Sequence, residues 1–188
     1  MTIMQRKISA DEYKVMPWKN GLGVTSQISL VPDDAAFPDG DFLWRVSSAT
    51  VRTSSAFSLF PGYDRFLVVW RGRGLKLNGD LLPPLKPLWF SGDDEIECEL
   101  LGDEVIDVGV IFRREKVRAD MTVETWSAGE ERTLHVDQGC HYLFCAQGSF
   151  MANDIGISEG ETLRIDSLTE SRVKSRTEGL IFHIRLSY

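Results

Sequence analysis

The sequence predicts an all-β protein, and three observations lead there. Short runs rich in Val, Ile, Leu, Phe and Trp recur along the chain, each closed by Gly, Pro, Asp or Asn. Glu95-Ile96-Glu97-Cys98-Glu99-Leu100 alternates residue by residue, as a half-buried strand does. No segment sustains the i, i+3, i+4, i+7 apolar spacing of an amphipathic helix, and residues 10–15 offer at most one short turn.

In order, the expected strands are 42–51, 65–70, 75–77, 95–101 and 105–112, then 142–146, 149–152, 161–165 and 180–186. Pro83-Pro84-Leu85-Lys86-Pro87 cannot lie inside a ladder, because proline has no N–H to donate; it reads as a stiff connector or an edge. A faint repeat runs through the series. Residues 66–72 followed by 75–78 resemble 142–148 followed by 149–153: strand, glycine turn, strand, Asn-led turn. Two fused β-barrels fit the length, an N-terminal one over 1–115 and a smaller one over 116–188, with the seam in the charged stretch 113–120.

Composition narrows the function. The 188 residues carry 21 basic and 28 acidic side chains, a net charge of −7, which lacks the footprint of a nucleic-acid or anionic-membrane binder. With 43% hydrophobic and 26% charged residues the chain is expected to fold. No apolar run approaches the roughly 18 residues of a membrane span, and the first residues lack the apolar core of a secretory signal. Cys98, Cys140 and Cys145 form no CxxC pair and read as reduced thiols of a cytoplasmic protein.

Strand parity singles out two arginines. In a continuous strand 42–51, Arg45 shares a face with Leu43, Ser47, Ala49 and Val51; in 65–70, Arg65 shares one with Leu67 and Val69. Small neighbours leave room beside a guanidinium that cannot shed its charge. Two readings stay open: the arginines bind a carboxylate, or they pair with internal acids such as Asp64, Asp107 or Glu99. The segment from Pro17 to Thr25 is the second focus. Gly21 and Gly23 permit positive φ and close backbone approach, Lys19 offers charge, Asn20 a donor and an acceptor, Thr25 a hydroxyl. It also reads as an ordinary turn with Trp18 plugging a barrel end. It is not a phosphate loop, since no Gly-Lys-Ser/Thr follows. No GxSxG elbow or other catalytic constellation is present.

Four segments carry a resemblance: Pro17 to Thr25 (PWKNGLGVT), Phe42 to Ala49 (FLWRVSSA), Phe57 to Arg65 (FSLFPGYDR) and, more loosely, Asp107 to Arg114. Together they resemble the HutD/Ves family of bacterial cupin-like proteins. The resemblance implies a bicupin fold and, for some members, a link to histidine utilisation through sensing or limiting a pathway intermediate. Two departures stand out. Leu22 replaces a usual glycine, and Asp107-Val108-Gly109 replaces a usual Asp-Phe-Asn, so that asparagine's contact has no counterpart here. Metal-binding cupins place a His-x-His pair near the first glycine turn, but residues 58–69 hold no histidine, and His135, His141 and His183 match no zinc spacing. No metal or cofactor is expected.

The expected function is therefore binding of a small acidic metabolite, such as formylglutamate or formiminoglutamate. Arg45 and Arg65 would fix the carboxylate, Lys19 would add charge and Asn20 set orientation. Trp18, Thr25, Ser58, Phe60 and Asp107 complete the ligand-binding set. The alternatives are a metal-independent isomerase or hydrolase, with Asp107 as its shifted acid or base, and a protein-interaction module using an apolar patch over 81–90. A monomer or weak homodimer is expected.

Overall fold

The computed structural model describes residues 4–18, 21–136, 138–166 and 170–188. Apart from one 3-10 turn at Ala10–Glu12, the regular structure is strand. The first strands are β1 (Met4–Ile8), β2 (Lys14–Pro17), β3 (Gly23–Val31), β4 (Trp44–Val51), β5 (Ser55–Ala56), β6 (Tyr63–Arg71), β7 (Leu75–Leu77), β8 (Asp80–Leu82), β9 (Leu88–Ser91), β10 (Glu97–Leu100) and β11 (Val105–Arg113). They are followed by β12 (Arg118–Trp126), β13 (Glu131–Leu134), β14 (Cys140–Gln147), β15 (Ser149–Ala152), β16 (Ile155–Ser158), β17 (Thr162–Asp166), β18 (Ser171–Ser175) and β19 (Gly179–Ser187).

The chain divides into two units, one over Tyr13–Val117 and one combining Arg118–Tyr188 with the residues up to Glu12. This corrects the expected division at 115: the boundary falls at 117, and the N-terminal arm belongs with the second unit. Pairing is the reason. β1 lies antiparallel to β17, with Gln5 opposite Ile165 and Ile8 opposite Thr162, and Lys7 Nζ sits 2.9 Å from Glu161 Oε1. A strand this short and polar has no signature of its own; only its partner reveals it.

Each unit is a cupin-type pair of sheets. The first has the orders β2-β3-β4-β11-β6-β9 and β5-β10-β7-β8; the second has β1-β17-β14-β19-β12 and β13-β18-β15-β16. Strand for strand, β4-β11-β6-β9 matches β12-β19-β14-β17, and the four-stranded sheets match throughout. The repeat extends to single residues. A bulge falls at Trp70 in β6 and at Ala146 in β14, the same place in each copy. Asn78 and Asn153 both adopt φ 50° in the hairpin turn that follows. The Asn78 amide donates to the Glu97 carbonyl (2.9 Å), and the Asn153 amide donates to the Arg172 carbonyl (2.8 Å).

Alternation along these strands builds a separate core in each unit. Leu67, Val69, Leu75, Leu77 and Phe90 pack in the first; Trp126, Leu143, Phe150, Leu163, Ile165 and Ile181 pack in the second. Burying each such side chain contributes about 1.5–3 kcal/mol. Cys98, Cys140 and Cys145 are free and buried, and burial pushes their thiols up to about 11, 12 and 12. Pro83 to Pro87 form the connector between β8 and the edge strand β9, where Leu81, Leu85 and Trp89 are exposed.

Candidate functional site

The central strand of the first unit's larger sheet is flanked by the two arginine strands. Ile111 of β11 lies opposite Arg45 of β4 on one side and Arg65 of β6 on the other. Residues directly opposite share a face, so both guanidinium groups rise from the same side of the sheet. Two strand spacings separate their backbones by roughly 10 Å. Along the same face, Gly109 lies opposite Ser47 and Asp107 opposite Ala49. Small side chains and a glycine thus leave open the floor between the long ones.

That floor bounds a cavity of about 540 Å³, lined by Trp18, Thr25, Arg45, Ser58, Phe60, Arg65 and Asp107 among others. Every described residue of the expected ligand-binding set lies on it. Lys19 and Asn20 lie outside the described residues. Leu43 precedes β4, so the parity face begins at Arg45.

Arg45 is buried, donates from Nε to Gln27 Oε1 at 3.0 Å, and stacks its guanidinium 3.9 Å from the centre of the Phe37 ring. Arg65 is half-buried along its length, but its charged end sits among the rings of Phe57, Phe60 and Phe90 at 5.1, 5.4 and 5.1 Å. It donates to the Ser58 carbonyl at 3.3 Å. Burial lowers both arginines to about 10; the charge of Arg65 adds to the effect on Arg45, and Asp107 opposes it at Arg65. Of the acids that could have consumed them, Asp64 pairs with Arg114 at 2.7 Å and Glu99 with Lys76 at 3.1 Å. Among the described residues, no carboxylate stands within ion-pair distance of Arg45 or Arg65.

Asp107 is the buried acid of the cavity. Burial raises its carboxyl to about 7, against the pull of Arg65 and of a hydrogen bond from the Ala49 backbone. At one end of the cavity, Trp18 donates from Nε1 to Thr25 Oγ1 at 2.8 Å. Gly21 closes the turn with φ 71°. At Gly23 the close approach is to Trp18 itself, since a Cβ there would stand 2.9 Å from the indole and 2.7 Å from the Thr50 carbonyl.

Two residues that touch Arg45 escaped sequence reasoning. Gln27 lies on β3, a strand not recognised because its Thr-Ser-Gln centre is polar; once β3 is placed, pairing of Thr25 with Ala49 and Gln27 with Ser47 puts both on the cavity face. Phe37 comes from a loop and gave no periodic signal.

The model of the HutD family matches residues 10–182. The chain belongs to the HutD family. Within it, this HutD-family protein is 38% identical over 144 residues to an uncharacterised 21.2 kDa protein in the hutC 3′ region of Pseudomonas putida, covering 74% of this chain and 72% of that one. It is 30% identical over 151 residues to protein Ves of Escherichia fergusonii, covering 66% and 76%. The structure of HutD from Pseudomonas fluorescens SBW25, from a formate condition, superposes with a TM-score of 0.80 at 26% identity over 98% of both chains. No helix among the described residues is long and apolar enough to cross a membrane.

Proposed function

We propose that this HutD-family protein binds a small carboxylic acid in the cavity of its first unit, with Arg45 and Arg65 as the anion-binding pair. One observation carries the reading: two desolvated guanidinium groups face one cavity, and no described carboxylate stands within ion-pair distance of either. Arginine keeps its charge at neutral pH, and its fork matches a carboxylate. Two like charges held out of water destabilise the empty site until an anion arrives. The aromatic walls suit an aliphatic body behind the acid group.

The hutC-region location of the Pseudomonas putida relative supports a place in histidine utilisation. Formylglutamate and formiminoglutamate are acids of the required charge. The test is a thermal-shift screen with these and unrelated carboxylates. A ligand at roughly 100 times its Kd adds about 2.7 kcal/mol, or roughly 5–10 °C for a chain of this size. Arg45→Ala and Arg65→Ala should each abolish the shift. An equal shift in both variants, or none with any acid, refutes the site.

Asp107 favours a second reading, that the bound acid is also turned over. A carboxyl held near 7 beside Arg65 can give or take a proton at neutral pH. Under this reading Asp107→Asn still shows the thermal shift but no longer converts the acid, as followed by NMR of the ligand. No conversion by the parent protein leaves binding alone.

A further inference from the structure

The second unit carries a polar constellation that carboxylate binding in the first leaves unused. The cross-strand row that holds Arg45, Ile111 and Arg65 in the first unit holds Asp120, Arg185 and His141 in the second, on β12, β19 and β14. Beside it, His183 is buried at 1% exposure. Its Nδ1 lies 2.9 Å from Glu124 Oε1, and its Nε2 lies 3.0 Å from His141 Nδ1.

Hydrogen-bond logic fixes the protons. Glu124 is held ionised by His183 and Arg185 and can only accept. Arg185 Nη2 also lies 3.1 Å from His183 Nδ1, but both nitrogens converge on Glu124 Oε1. An unprotonated Nδ1 would set its lone pair against that carboxylate oxygen at 2.9 Å, so His183 carries its proton on Nδ1. Nε2 of His183 must then accept, and His141 supplies the proton from its own Nδ1. Burial keeps both rings neutral, taking His141 to about 4 with help from His183 and Arg185. The chain from Glu124 through His183 thus leaves a bare lone pair on Nε2 of His141. His141 lines a cavity of about 210 Å³ together with Arg118, Asp120, Gln138 and Arg185.

The charges around that cavity differ in availability. Arg185 is spent on Asp120 at 2.6 Å and Glu124 at 3.1 Å. Arg118 is exposed, and no carboxylate among the described residues lies within ion-pair distance of it. A plain carboxylate on Arg118 would set lone pairs against the His141 nitrogen, and a cation would be repelled by Arg118. A hydroxyl beside the negative charge satisfies both.

We propose that the second unit holds a separate binding site for a small oxyanion bearing its own hydroxyl, its charge meeting Arg118 and its O–H donating to Nε2 of His141. An α-hydroxy carboxylate and a protonated phosphate share this chemistry. The site does not depend on the function proposed for the first unit.

Histidine-15N NMR of the full chain tests it, with glycolate, inorganic phosphate and acetate as probes. Arg45→Ala/Arg65→Ala silences the first cavity; should that variant fold poorly, the parent protein serves, because the His141 signal reports only the second unit. The expected ground state has Nδ1–H on both His141 and His183. Glycolate or phosphate should move the His141 Nε2 resonance, with acetate at least tenfold weaker, since acetate has no hydroxyl to donate to that nitrogen. A response to glycolate assigns hydroxy acids, and a response to phosphate alone assigns phosphate. Arg118→Ala, at an exposed rim position, should weaken binding at least tenfold without changing either tautomer. A proton on Nε2 of His141, equal responses to acetate and glycolate, no response to any probe, or parent-like binding by Arg118→Ala overturns the proposal.

Discussion

Arg45 and Arg65 stand opposite one and the same residue, Ile111, from the two strands that flank it. No described carboxylate stands within ion-pair distance of either, and each is held below the ordinary arginine range by burial first. Such a pair is poor for stability and well suited to catching an anion.

The first prediction separates those roles. Arg45→Met keeps the volume and removes a buried charge whose only described polar partner is Gln27. The empty protein should gain about 1–3 kcal/mol, as replaced buried charges often yield, and lose its response to carboxylic acids. Denaturant melts with and without acid measure both. Loss of stability in the empty protein would show that the arginine is there to hold the fold.

Asp107 makes stability depend on pH in a definite direction. Its carboxyl ordinarily titrates at 3.8 and is raised to about 7 in the fold. Between those values the unfolded chain releases the proton while the native one keeps it, so stability falls as pH rises, then levels off above 7. The fall is about 1.4 kcal/mol per pH unit at most. Asp107→Asn should remove that slope, seen as a difference between the two proteins in urea melts from pH 4 to 8. His141 contributes the opposite slope: lowered from 6.5 to about 4, it stabilises above 6.5 and loses that contribution as pH falls towards 4. Its term is common to both proteins and cancels.

Gly23 is fixed by Trp18. Gly23→Ala forces a Cβ against the indole and the Thr50 carbonyl, which should cost about 1–3 kcal/mol. Because Trp18 lines the cavity, its displacement should also weaken acid binding. Unchanged tryptophan fluorescence and binding would contradict this packing.

The two repeats predict matched penalties. Asn78→Ala and Asn153→Ala each place a side chain that disfavours φ 50° in the turn and remove a carboxamide acceptor used by the Glu97 and Arg172 amides. Each should cost about 1–2 kcal/mol, and the glycine variants should recover the part due to φ. A large cost at one site and none at the other would break the equivalence.

Much of this was legible in the sequence, for identifiable reasons. Alternation in 95–101 and apolar density in 105–112 marked strands because one or both faces are buried. Parity alone put Arg45, Ser47 and Ala49 on one side, and small neighbours marked that side as roomy. The glycine and asparagine turns exposed the repeat because φ above zero narrows the choice of residue. What stayed hidden lacks such constraints. β3 has a polar centre because it faces a cavity, β12 alternates weakly because Asp120 and Glu124 bond to Arg185 and His183, and Phe37 reaches Arg45 from a loop.

The arm at β1 has a practical consequence for anyone dissecting the protein. Its partner β17 is made more than a hundred residues later, so the opening segment emerges from the ribosome long before there is anything for it to dock on. A C-terminal fragment started at Arg118 would bare a sheet margin prone to sticking. Independent expression of that half calls for grafting the leading dozen residues back, by linker or as a synthetic peptide supplied in trans.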